Sequence, residues 1–185
     1  MKIAVAKYAV GNPADFEAFA ARQRQILGEA CGTGVELAVL PEYLSLELAS
    51  TFAPEISRDW NASLAAVQTR QSGWLALYAD LARELRLVIQ AGTFLTGVAP
   101  GRYRNRAWWF APDGTRGYQD KLQLTGFERD AGVIEGGDEL KVFDLAGVRA
   151  GIAVCYDSEF PLPVRAQREA GASLLLVPCC TCVLS

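Results

Sequence analysis

Apolar positions along this chain recur with two periods, and the switches between them outline its elements. "KIAVAKY" and "VELAVLPE" are short, nearly continuous apolar runs, the pattern of buried strands. The second run ends at Pro41. Between them, Phe16, Phe19, Ile26, Leu27 and Ala30 fall on roughly one face of a helix. Asn12 is placed to cap that helix, with Pro13 at its first position and Asp15 at the positive end. Gly32 and Gly34 stop it. After a loop with Pro54, the stripe Trp74, Leu77, Tyr78, Leu81 and Leu85 predicts one helix from about Ser63 to Leu85, weakened at Gly73.

"RLVIQAGTFL" reads as a third strand. "RNRAWWFAPDGTRGYQD" reads as a hairpin turning at Pro112-Asp113-Gly114, and "LKVFDLAGVRAGIAVCYD" as another turning at Ala146-Gly147. "FPLPVRAQREAG" predicts a helix closed by Gly171, and "ASLLLVP" a last buried strand. Alternating strands and helices with two hairpins predict an α/β domain of layered sheets covered by helices. With no repeat, linker or low-complexity stretch, residues 1–185 read as a single domain.

Composition narrows the possible chemistry. A net charge of −3 argues against nucleic acid and anionic membrane as partners. No stretch approaches the roughly 18 apolar residues a membrane helix needs. Five cysteines, an odd number with two of them adjacent, fit neither a disulfide framework nor a structural zinc site, and suit a reducing, cytoplasmic compartment. The chain has no histidine, which removes histidine-based triads, dyads and metal sites. Acid–base work would fall to Glu, Asp, Lys or Tyr.

Cys155 ends the run "GIAVC" just before a helix, where helix N–H groups favour a thiolate and can hold an oxyanion. It also reads as a small apolar residue at a strand end. Glu42 follows a buried strand directly, where a charge is either paired or solvated in the loop beyond. Lys121 ends a hairpin strand, as a partner for Glu42 or as an ordinary exposed lysine. Glu128, seven residues on, is unremarkable alone. Arg102, Arg104 and Arg106 alternate along one strand face and read as solvated rather than as a grip for an acidic ligand. Trp108, Trp109 and Phe110 read as core. "EGGDE" and "CGTG" are glycine turns that build no nucleotide-binding loop.

Taken in order, "LPEY", "YQDKLQLTGFE" and "GIAVCYDSEFP" resemble the three motif regions of the nitrilase superfamily, the carbon-nitrogen hydrolases. Asn105 in "YRNRA" falls where that family has an asparagine. The resemblance implies an α-β-β-α sandwich, helix-paired homodimers and no metal or organic cofactor. It places the catalytic glutamate on Glu42, the lysine on Lys121, the nucleophile on Cys155 and an additional glutamate on Glu128. Lys121 and the backbone N–H of Tyr156 would stabilise the oxyanion. The implied reaction is hydrolysis of a small amide, or a nitrile or carbamoyl compound, through a cysteine acyl-enzyme. An inactive fragment that associates through its helices, and acyl transfer to an amine, remain as alternatives.

Family domains run roughly half again as long, so the resemblance implies a sandwich incomplete at the C-terminus, lacking its C-terminal third. The match degrades at "PCCTCVLS", where relatives look like "P-S-C-T-D". The last four residues spell a C-a-a-X prenylation box. Because it follows a strand expected to be buried, a lipid anchor is not the favoured reading, and Cys179 and Cys180 are expected near the pocket floor.

Overall fold

The structure, a computed structural model, describes residues 1–180. The C-V-L-S box, Cys182 included, lies outside the described residues. Two sheets pack face to face with helices outside them, the α-β-β-α arrangement. The larger sheet runs β1 (Ile3–Val5), β2 (Leu37–Val39), β3 (Val88–Ala99), β4 (Arg102–Phe110) and β5 (Arg116–Asp120). Strands β1, β2 and β3 are parallel, whereas β3, β4 and β5 are antiparallel. A two-residue strand, β6 (Ile134–Glu135), pairs with the start of β4. The smaller sheet is β7 (Val142–Leu145), β8 (Val148–Ile152) and β9 (Leu174–Leu176), with β7–β8 antiparallel and β8–β9 parallel.

Strand alternation explains the layering, because successive side chains point to opposite faces. Leu37, Val39, Val88, Ala107 and Trp109 meet Leu145, Ala150, Ile152, Val154 and Leu176 of the smaller sheet. Their chain neighbours Ala38, Leu40, Ile89 and Phe110 face the other way. There they pack on Phe19 and Leu27 of α1 (Phe16–Cys31) and on Trp74, Leu77, Tyr78 and Leu81 of α4 (Gln71–Leu85). The apolar runs were continuous because both faces of these strands are covered. Trp108, Trp109 and Phe110 take part in this packing, as their sequence predicted.

The smaller sheet is covered by α6 (Pro161–Glu169), closed at Gly171. The buried Gln167 donates from Nε2 to the carbonyls of Ile152 (3.1 Å) and Lys141 (3.2 Å). A Cβ on Gly151 would stand 2.6 Å from that amide, so the close approach needs glycine there.

Several boundaries differ from the sequence reading. Only three residues of "KIAVAKY" form β1, because β2 offers just three register partners; Tyr8 leaves the sheet to reach Glu47. Asp15, not Asn12, caps α1, accepting from the Ala18 N–H at 2.7 Å. The long second helix is two: α3 (Trp60–Val67) and α4, joined by a 3₁₀ turn at Gln68–Arg70. Gln68 pins that break to β3, donating to Leu95 O (2.8 Å) and accepting from Gly97 N (2.8 Å). Gly73 lies inside α4 against the Phe16 ring. Short elements went unpredicted, among them a 3₁₀ helix at Leu44–Thr51, α2 (Pro54–Ser57) and α5 (Gly126–Ala131). None is long enough to show clear helical periodicity.

Candidate active site

Strands β2 and β5 end, and β4 begins, on one side of the larger sheet; Glu42 follows β2, Lys121 follows β5, Cys155 follows β8 of the smaller sheet, and Glu128 comes from α5. Glu42 follows β2, where the chain turns at Tyr43 with φ +61°. The Tyr43 N–H donates to Thr93 Oγ1 at 2.7 Å. Thr93 stands just past a bulge in β3 at Gly92, whose φ is +68°. A Cβ on Gly92 would meet Pro41 O at 2.1 Å, so this glycine lets β3 and the Glu42 turn touch.

Lys121 follows β5, its N–H donating to Asn105 O at 2.9 Å. Its ammonium reaches Glu42 Oε1 at 2.8 Å and Glu128 Oε2 at 2.8 Å. The three side chains are 1–2 % exposed. Asn105 Nδ2 joins them, donating to Glu42 (2.8 Å) and Glu128 (3.0 Å). The exposed-lysine and solvated-glutamate readings of Lys121 and Glu42 are thus excluded: the charges are buried and paired.

The two glutamates are held differently. Glu128 sits in α5, in a reciprocal capping box with Thr125. It accepts from Tyr43 Oη (2.5 Å), Asn105 Nδ2, Thr125 N (2.9 Å), Thr125 Oγ1 (3.1 Å) and Lys121. Burial works against its charge, but these donors outweigh it and hold its pKa below the ordinary value. Glu42 has fewer donors: Asn105, Lys121 and the Cys155 thiol. For it burial prevails, with Lys121 opposing, and its pKa is raised. Lys121 also loses solvation, but the two carboxylates more than offset this and keep it charged. One carboxylate is fixed as an anion while the other can exchange a proton.

Cys155 opens a 3₁₀ turn (Cys155–Glu159) ahead of α6, with φ +48°. Its N–H donates to Pro178 O at 3.0 Å. The expectation that helix amides would favour the thiolate is overturned. Burial, the Glu42 charge and Cys179 push the thiol up to about 12, and the Cys180 backbone N–H only partly opposes them. At neutral pH the sulfur is a thiol hydrogen-bonded to the Glu42 carboxylate. Tyr156 follows in the same turn, its ring edge-on to Phe160.

Asp157 was missed by sequence reasoning. It is 2 % exposed and accepts from Val154 N (3.1 Å), Leu122 N (3.1 Å) and Gln123 N (2.6 Å). It ties the turn before Cys155 to the segment after Lys121. Its only signal was a carboxylate two residues beyond a candidate nucleophile.

A cavity of about 770 Å³ adjoins these groups. Glu42, Tyr43, Leu44, Leu46, Cys179 and Cys180 are among the residues that line it, as expected for the two cysteines. Glu42 is in hydrogen-bond contact with the Cys155 thiol and Cys179 is a neighbour that shifts its ionisation, so Cys155 stands one side chain away. Glu47 also lines the cavity and braces its wall, accepting from Tyr8 Oη (2.8 Å), the Gly11 N–H and Arg22 (3.3 Å). Arg102, Arg104 and Arg106 are engaged by carboxylates of the chain itself: they pair with Glu135, Asp138 and Asp120. Among the described residues, no group of three or more acidic, cysteine or histidine side chains is arranged to hold a metal ion, and no helix is long and apolar enough to cross a membrane.

Comparison with known proteins gives the family and the fold. "Probable hydrolase YhcX" of Bacillus subtilis (strain 168) is 30 % identical over 181 residues, 98 % of this chain and 34 % of that one. Among solved structures, a carbon-nitrogen hydrolase from Helicobacter pylori G27 superposes with a TM-score of 0.79 at 19 % identity, covering 97 % of this chain and 59 % of that one. An amidase of the nitrilase superfamily from Nesterenkonia AN1 gives 0.72 at 22 %, covering 97 % and 65 %. The chain thus spans about a third of the first relative and roughly three-fifths of the two structures. The carbon-nitrogen hydrolase family model matches residues 2–184, and with that match over a nitrilase fold the chain belongs to the carbon-nitrogen hydrolase family.

Proposed function

We propose that this chain hydrolyses the carbon–nitrogen bond of a small amide through a thioester on Cys155. The observation that carries the reading is the Glu42 carboxylate, which meets both the Lys121 ammonium and the Cys155 thiol in one buried site. The thiol is protonated at rest, so attack requires a base in contact, and Glu42 is that base. As the Cys155 sulfur bonds to the amide carbon, its proton passes to Glu42. The carbonyl oxygen becomes an oxyanion. An ammonium has three N–H donors. Two of Lys121's serve the glutamates, and the third, with the Tyr156 N–H, serves the oxyanion. Glu42 then gives its proton to the departing nitrogen, leaving the thioester. A water, deprotonated by Glu42, releases the acid and returns the proton to sulfur. Glu128, held ionised, keeps Lys121 charged and in place.

A fold neighbour supports the choice of probe: in a Glu-to-Gln mutant of the Nesterenkonia amidase, the acetamide moiety of fluoroacetamide is covalently added at the active site cysteine. Incubation of this chain with fluoroacetamide, read by intact mass and peptide mapping, is expected to label Cys155. Cys155→Ala should abolish the label, and Glu42→Gln should slow it strongly. Label on another residue in the wild-type chain would overturn the assignment. Ammonia release from acetamide, compared with transfer to added hydroxylamine, separates hydrolysis from acyl transfer. Pairing of two copies through the helices belongs to the same reading, and sedimentation velocity tests it.

A further inference from the structure

Cys179 has no part in the reaction above, yet it is set against the residue that does. Strands β8 and β9 pair in parallel with Ala150 opposite Leu174, Gly151 opposite Leu175 and Ile152 opposite Leu176. The ladder continues past both strands: Ala153 N donates to Leu176 O and Cys155 N to Pro178 O, each at 3.0 Å. The same offset brings Cys155 opposite Cys179. Adjacent strands lie roughly 4.8 Å apart, within the roughly 4.4–6.8 Å between Cα atoms that a disulfide spans. Each thiol is a neighbour that shifts the other's ionisation, and Cys179 lines the cavity, where a small oxidant can enter. Cys31, by contrast, bonds to Leu85 O at the far end of α4.

We propose that Cys179 is a resolving cysteine: a hydroperoxide entering the cavity closes a Cys155–Cys179 disulfide, which blocks the nucleophile until a dithiol reopens it. In the first step the Cys155 sulfur attacks a peroxide oxygen while its proton passes to Glu42. The O–O bond breaks, and the leaving oxygen takes that proton and departs as water (or as an alcohol, from an organic peroxide). Cys155 is left as a sulfenic acid, with sulfur oxidised and peroxide reduced. The Cys179 sulfur then attacks the Cys155 sulfur. The S–S bond forms, the S–O bond breaks, and hydroxide leaves with the Cys179 proton as water. Two thiols and one hydrogen peroxide give one disulfide and two waters. The step needs the juxtaposed thiols and does not require that the chain hydrolyse amides.

The test treats the full chain with hydrogen peroxide, caps free thiols with N-ethylmaleimide and maps unreduced peptides by mass spectrometry. A peptide pair joined through Cys155 and Cys179, lost on dithiothreitol treatment, is expected. Cys180→Ser should keep that link. Cys179→Ser should lose it and instead accumulate dimedone-reactive sulfenic acid at Cys155. The proposal is overturned if wild-type Cys155 joins Cys180 or Cys182, or is oxidised to sulfinic acid while Cys179 remains cappable. Should Cys179→Ser fail to fold, the wild-type and Cys180→Ser maps decide alone. Amide hydrolysis, where present, should be lost on oxidation and regained on reduction. Its complete absence in the reduced chain would count against the hydrolase reading and leave the cross-link result standing.

Discussion

Replacing Lys121 with methionine removes the ammonium that holds two buried carboxylates together while keeping most of the aliphatic stem. The site cannot dilute the loss with water, because Lys121 is 1 % exposed and Glu42 and Glu128 are 2 % and 1 %. Both carboxylates bond to the Asn105 amide nitrogen, so those oxygens are at most about 6 Å apart. At an effective dielectric of about 20, two charges at that distance repel by about 3 kcal/mol. Breaking a buried ion pair on one side typically costs about 3–5 kcal/mol, a large part of the roughly 5–15 kcal/mol that holds a domain together. The variant can relieve the strain only by protonating a carboxylate. Glu42, whose pKa already stands above its ordinary value, should take that proton. The pH dependence follows from the two shifts. In the wild type, the depressed Glu128 pKa contributes stability above the unfolded glutamate pKa and loses it as pH falls through the folded value. In the variant that contribution goes, and the further-raised Glu42 pKa favours the fold only below the unfolded value, fading as pH rises through the folded one. Both effects make the deficit smallest in acid and largest near neutrality. Urea unfolding of both proteins at about pH 4.5 and about pH 7.5 measures this, and adding Glu42→Gln should restore part of the neutral-pH loss. A deficit equal at the two pH values would refute the view that Lys121 is held in place mainly to balance these charges.

Gly92→Ala should cost at least about 2 kcal/mol, combining a left-handed backbone penalty of about 1–2 kcal/mol with the 2.1 Å approach of its Cβ to Pro41 O. It should also slow fluoroacetamide labelling by moving the Glu42 turn; an unchanged urea midpoint would contradict the geometry. Asp157→Ala strips acceptors from three backbone N–H groups. A loss of about 2–4 kcal/mol is expected. If Asp157 positions the site, the folded variant's Cys155 should also alkylate at a different rate, whereas an unchanged rate would leave it only a structural role. The labelling rate should fall in acid with a midpoint above the ordinary glutamate value of 4.5, because Glu42 must be ionised to take the thiol proton and its pKa is raised. Glu42→Gln should remove that limb, and its survival in the variant would exclude Glu42 as the base.

What the sequence disclosed and what it hid separate along a physical line. The layers were legible because Leu37, Ala38, Val39 and Leu40 face opposite cores in turn, which leaves a continuous apolar run. Periodicity located Glu42, Lys121 and Cys155 at the ends of strands or apolar runs, but each alone also reads as an ordinary structural residue, and it was the resemblance to the carbon-nitrogen hydrolase motifs that joined them into one candidate site. Asp157 was hidden, since its work is done on amides of Leu122 and Gln123, over thirty residues away along the chain. Gln68 was hidden for the same reason, and with it the break between α3 and α4. The state of Cys155 could not be read from its place before a helix. That rule weighs only the amides, which are short-range and few in a 3₁₀ turn, whereas the folded site adds burial and the Glu42 charge on the other side. The reversal carries a mechanistic consequence. A sulfur already ionised would leave Glu42 without a proton to take, and so without one to pass to the departing nitrogen. In the mechanism we propose, a thiol kept neutral by burial and by the carboxylate beside it would make proton transfer and sulfur attack one coupled event, and would supply that proton at the next step.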